Sequence, residues 1–135
     1  MSRVHICRIF GRSMLPLIRN GDFAVVKKQR SYNLFDVVGF LDKKSGNFVI
    51  HRIVRFRRDG RVTLHGDNSS SFFKARAVFE VVERTYIRGK LVAIIRNGRI
   101  ISGCRLRILS ALSLSLGIIK LMPFLIKRYL FRIRR

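Results

Sequence analysis

Three short segments carry side chains that could do nucleophilic chemistry together. The first is Gly11-Arg12-Ser13-Met14-Leu15-Pro16, followed by Asn20-Gly21-Asp22. A serine in a turn stiffened by glycine and proline can present one hydroxyl at a fixed place on the rim of a sheet. The second is Phe48-Val49-Ile50-His51-Arg52-Ile53-Val54, a strand-like run with an imidazole at its centre. The third is Leu64-His65-Gly66-Asp67-Asn68, where a strand ends in a Gly-Asp-Asn turn. A serine hydroxyl is a weak nucleophile unless a base takes its proton as it attacks. Serine, histidine and carboxylate are therefore the set that acyl transfer needs. Taken singly, each residue has an ordinary structural explanation: turn chemistry for Ser13, a core histidine for His51, an Asx turn for Asp67.

In order, Ser13-Met14-Leu15-Pro16, His51-Arg52-Ile53-Val54 and Gly66-Asp67-Asn68 resemble the three catalytic boxes of the type I signal peptidases. The likeness is to the endoplasmic-reticulum, archaeal and sporulating-bacterial branch, which has histidine where the usual bacterial branch has lysine. Arg88-Gly89-Lys90-Leu91-Val92 is similar to that family's late Gly-Lys-Val strand, so the likeness runs over residues 10–95. The resemblance implies a mostly β fold of curved antiparallel sheets, as in signal peptidases and LexA, to which an extended substrate adds as a strand. It also implies a serine endopeptidase, a minimal signal or leader peptidase that cleaves a peptide or preprotein after small residues.

On that reading Ser13 is the nucleophile and its backbone N–H the oxyanion donor, with a second donor unidentified. His51 is the general base, since a neutral imidazole with an unperturbed pKa of about 6.5 accepts a proton at neutral pH. Asp67 would bond the second ring nitrogen and fix the tautomer. His65, two residues before Asp67 and on the same strand face, is the rival base but lacks the motif. His5 has no supporting context. Asp22 and Asp36 match acidic positions after the serine box and are read as structural, and Phe35 stands where the family often has glycine. The branch tends to carry a second acidic residue soon after Gly-Asp-Asn. Here Ser69-Ser70-Ser71 follows, and the first acid is Glu80.

The elements that must position these groups are mainly strands. Short apolar or alternating runs occur at residues 23–26, 37–41, 48–56, 62–64, 78–82, 86–95 and 99–101. Turn residues punctuate them, and Asp59-Gly60 and Asn97-Gly98 are the strongest hairpin signals. The chain of 135 residues is long enough for one domain with a real core. The expected organisation is a β-rich catalytic domain over residues 1–105 and a hydrophobic helix with a basic tail over 106–135.

Residues 108–126 have about the length needed to cross a bilayer core, roughly 20 residues. Ser110, Ser113, Gly117 and Lys120 fall on one helical face. That stripe admits a spanning helix packed through Ser113 and Gly117, an interfacial helix, or a helix packed on the domain's own sheet. The tail 127–135 interleaves bases with apolar residues and suits an acidic lipid headgroup layer. Membrane association through this helix is the expectation. Residues 1–10 hold no signal peptide or anchor. Both the basic tail and the arginine-rich domain favour the cytoplasmic side, which leaves the side of the membrane open.

The formal net charge is +22, and such a field attracts polyanions. No helix-turn-helix, zinc-finger or RNP-like pattern accompanies it, which argues against nucleic acid. Phe56 and Phe72-Phe73 could stack bases, but eleven Phe in a β-rich chain read more simply as core. The two cysteines, Cys7 and Cys104, and the three histidines have no metal-ligand spacing, and no metal or other cofactor is expected. Whether the cysteines pair is open. The alternative to a peptidase is a non-catalytic basic protein on the same scaffold, binding membrane or nucleic acid. A self-cleaving repressor of the LexA type fits less well, since those use a lysine base and carry a DNA-binding domain.

Overall fold

The computed structural model describes residues 3–68 and 79–133, with side chains described as far as residue 119. Residues 69–78, including Phe72-Phe73 and the serine run, lie outside the described residues, as do the side chains of Lys120 and the basic tail.

Among the described residues eight strands form one antiparallel sheet: β1 (Val4–Arg8), β2 (Phe23–Lys27), β3 (Val37–Leu41), β4 (Phe48–Phe56), β5 (Arg61–His65), β6 (Glu80–Glu83), β7 (Ile87–Arg96) and β8 (Arg99–Ser102). The spatial order is β1-β2-β7-β3-β4-β5-β6, with β8 on β7. The sheet curls into a half-barrel, and one helix, α1 (Gly103–Ile133), follows it. The mostly β fold expected from the sequence is the fold observed. The expected runs correspond to β2 through β8, but β1 was not among them. Its sequence Val-His-Ile-Cys-Arg is short and mostly exposed, so it carries little of the burial pattern that marks a strand.

Both hairpin signals form turns. Asn97 and Gly98 have positive φ of 49° and 73°, as a type I′ turn requires. Gly60 has φ +80° beside Asp59. Gly89 serves a different need: a Cβ there would meet the Lys27 backbone at 2.7 Å, so glycine lets β2 and β7 approach.

The two faces of the sheet carry separate cores. Met14, Leu17, Ile18, Val37, Ile50, Leu91 and Leu106 belong to one. Val38, Phe40, Ile53, Val62, Leu64 and Ile87 form the other. Strand alternation produces this division, since successive residues of β3 and β4 point to opposite faces. Leu106 of α1 is buried in the first core and Leu109 packs against it, so the base of the helix rests on the sheet. The expected boundary at 105/106 falls inside α1.

Candidate active site

Ser13 lies on the loop between β1 and β2. Its neighbours Met14, Leu17 and Ile18 are buried and pin the loop to the first core. Ile18 N–H donates to the Met14 carbonyl at 2.9 Å and Leu15 N–H to the Arg12 carbonyl at 3.2 Å. Gly11 bends the chain with φ +111°, a conformation that favours glycine, and its N–H donates to Asn20 Oδ1 at 3.0 Å. Asp22 holds the base of the loop. It accepts from Arg19 N–H at 2.8 Å and from the Arg96 guanidinium at 2.7 Å. Arg96 also donates to the Leu17 carbonyl at 2.9 Å. From the other side Asn68 donates its N–H to the Ser13 carbonyl at 2.7 Å and its side-chain amide to the Arg12 carbonyl at 3.0 Å. The Gly-Asp-Asn turn is thus a brace for the serine loop.

His51 sits on β4, almost buried, with its ring 6.0 Å from that of Phe40. Its Nε2 is 3.2 Å from Ser13 Oγ and its Nδ1 is 3.0 Å from Glu80 Oε2. With the proton on Nδ1, the ring donates to Glu80 and accepts from the Ser13 hydroxyl. That is the tautomer a general base needs. Among the described residues no acceptor takes the Ser13 N–H.

Asp67 does not meet His51, contrary to the expectation. Its two oxygens accept from Arg52, Nε to Oδ1 at 2.7 Å and Nη2 to Oδ2 at 2.6 Å, and Oδ2 also accepts from Ser113 Oγ at 2.5 Å. Strand register gives the reason. His65 pairs with Arg52, so Asp67, two residues on, continues the Arg52 side. Glu80 pairs with Leu64, Leu64 pairs with Ile53, and His51 lies two residues before Ile53 on the same face. Glu80 therefore reaches the imidazole and Asp67 does not. The signal for Glu80 was its place as the first acid after Gly-Asp-Asn.

His65 is the imidazole opposite Arg52, and the Ser13 hydroxyl is bonded by His51. Burial pushes the His65 pKa below its ordinary value, and the nearby His51 charge acts the same way, against Asp67 and Glu80. Asp36 pairs with Lys90 at 2.7 Å, and with Asp22 on Arg96 both acids have structural partners. Phe35 adopts φ +69°, which accounts for glycine being usual there in the family it resembles. Both cysteines are free thiols, and burial raises the pKa of Cys7. Among the described residues no three His, Cys, Asp or Glu side chains are grouped to hold a metal ion.

A cleft of about 450 Å³ opens beside Ser13, lined by Arg8, Phe10, Met14, Phe48 and Ile50 among others. Along it, residues 48–51 of β4 pair with β3 on one side. Pairing with β5 starts only at Arg52, so among the described residues the other edge of this stretch carries no strand.

A serine, an imidazole and a carboxylate aligned at the rim of a curled antiparallel sheet have the arrangement of a serine-peptidase centre. The family model described as "Peptidase S24-like" matches residues 2–92, and the chain belongs to that family. The family covers LexA-like and signal-peptidase-I-like serine peptidases. No curated protein matches the chain.

Proposed function

We propose that this protein is a serine endopeptidase of the leader- or signal-peptidase type, cleaving extended precursor peptides after small residues. The observation that carries the reading is the continuous array Ser13 Oγ, His51 Nε2, His51 Nδ1 and Glu80 Oε2, with separations of 3.2 and 3.0 Å. His51 takes the Ser13 proton as Oγ attacks the scissile carbonyl, and Glu80 stabilises the imidazolium. The Ser13 N–H donates to the developing oxyanion. His51 then protonates the leaving amine, and later draws a proton from the water that opens the acyl-enzyme. The edge of β4 that carries no strand among the described residues, with the adjoining cleft, suits an extended substrate, which would bond the backbone of residues 48–50 as an added strand.

The same reading places the enzyme on an acidic membrane surface. Ile108, Leu112, Leu116 and Ile119 form one exposed apolar stripe of α1, turned away from Ser110 and Ser113. Arg105 and Arg107 precede the stripe and the basic tail follows it, as an interfacial helix on anionic lipid requires. Among the described residues no helix is long and apolar enough to cross a membrane, and the interfacial form is the one proposed.

The test is active-site labelling. A fluorophosphonate should modify Ser13 in the wild-type protein and leave Ser13→Ala unmodified, and a leader peptide with small residues before the cut should be hydrolysed only by the former. A Ser13→Ala protein that cleaves at the wild-type rate removes the nucleophile from this mechanism. Flotation with anionic but not neutral vesicles, reversed by high salt, tests the membrane assignment.

A further inference from the structure

The polar stripe of α1 is turned inward. Ser113 is fully buried and donates to Asp67 Oδ2. Ser110 Oγ accepts from Arg52 Nη1 at 3.0 Å, and the Ser110 carbonyl from Nη2 at 3.2 Å. A Cβ at Gly117 would stand 3.3 Å from the Asp67 carbonyl, so the next turn of the helix also lies against this residue. Arg52 is 2% exposed and its remaining contact is the Phe35 carbonyl at 2.9 Å. The helix thus closes over a buried ion pair and supplies part of its hydrogen bonding.

Each member of that pair is the chain neighbour of an active-site group. Arg52 follows His51 on β4. Asp67 precedes Asn68, which holds the carbonyls of Ser13 and Arg12. We propose that Ser113 is a positioning residue for the active site. Through Asp67 it fixes the turn that braces the Ser13 loop, and through the Asp67–Arg52 pair it sets β4 at His51. It touches neither substrate nor reacting atoms. Helix α1 on this account completes the catalytic centre, and displacing it misaligns nucleophile and base together. The inference rests on the peptidase reading for its kinetic consequence, though not for the structural coupling.

The experiment compares the full-length wild type with Ser113→Ala, Ser113→Thr and Gly117→Ala. Misplacing reacting groups by about 1 Å can cost up to about a hundredfold in rate. Ser113→Ala should lower kcat and the rate of Ser13 labelling by about ten- to a hundredfold. KM should be nearly unchanged, because no described residue of α1 lines the cleft. Ser113→Thr, which keeps the hydroxyl, should recover most of the loss. Gly117→Ala, which removes no hydrogen bond and presses on the Asp67 carbonyl, should lower kcat in the same sense. An activity-free readout accompanies these: in Ser113→Ala the Asn68 amide should exchange faster and the His51 ring resonances should move. Unmoved Asn68 and His51 signals in a folded Ser113→Ala protein overturn the inference, as does a kcat equal to wild type. Moved signals in a protein whose wild-type Ser13 is never labelled support the coupling and overturn the peptidase reading instead.

Discussion

His51 and Arg52 are adjacent on β4 and face opposite sides of the sheet, and the two sides solve different problems. On one side an imidazole lies between a hydroxyl and the partly exposed carboxylate of Glu80, with His51 Nε2 3.2 Å from Ser13 Oγ. That group can gain and lose a proton. On the other side Arg52 and Asp67 form a bidentate pair, 3% and 4% exposed, closed off by Ser110 and Ser113. An ion pair so enclosed holds geometry. One strand carries reactivity on one face and rigidity on the other, and the alternation of side chains keeps them apart.

The sharpest way to break this contrast is to mutate across it. His51→Ala should lower kcat/KM by roughly 10⁴-fold or more while changing the melting temperature little, since catalytic groups that act as a unit fail together. Glu80→Gln should leave a folded enzyme with activity reduced by at least about a hundredfold, because an amide can favour the wrong tautomer of His51. If Asp67→Asn lost activity while Glu80→Gln kept it, the assignment of the two carboxylates would have to be exchanged.

Arg52→Met, unlike His51→Ala, is expected to be a stability defect first, with any loss of activity following from the displaced β4. It leaves the buried Asp67 carboxylate unpaired, which costs about 3–5 kcal/mol. The double variant Arg52→Met, Asp67→Leu should recover much of that loss in urea unfolding, because no buried charge remains. A single variant as stable as wild type would mean that the pair is solvated in solution.

The smallest expected effect concerns His65, which shares the Arg52 side of the register. Its folded pKa lies below the ordinary value because of burial. The unfolded chain therefore takes up that proton first as pH falls through about 6.5. Stability is complete above that pH and declines below it, until the folded imidazole also protonates. The urea midpoint of the wild type should drop between about pH 7 and about pH 5.5 more than that of His65→Gln. Equal drops would assign the acid sensitivity to another group.

The sequence was informative where a local rule decides the outcome. Short apolar or alternating runs marked seven of the eight strands among the described residues, and the alternation of buried and exposed positions is clearest in β2 and the first half of β7. Asn97-Gly98 specified its turn through the positive φ it tolerates. Ser13 and His51 stood out through their motifs, and the structure brings them within hydrogen-bond reach. The partner of the imidazole was not legible in this way. Asp67 is nearer to His51 in sequence than Glu80, and it occupies the expected motif. Which carboxylate reaches the ring depends on the pairing register across β4, β5 and β6, a non-local property that fixes the face on which each side chain emerges. The same holds for α1. Its polar stripe at Ser110, Ser113 and Gly117 could be read from helical spacing. Only packing shows that this stripe docks on Arg52 and Asp67, since a buried guanidinium and carboxylate need hydrogen-bond partners and an exposed apolar stripe does not supply them. Composition and periodicity determined the sheet and the nucleophile's turn. The tertiary structure decided which charges meet, because hydrogen bonds and ion pairs act over a few ångströms and the register sets those distances.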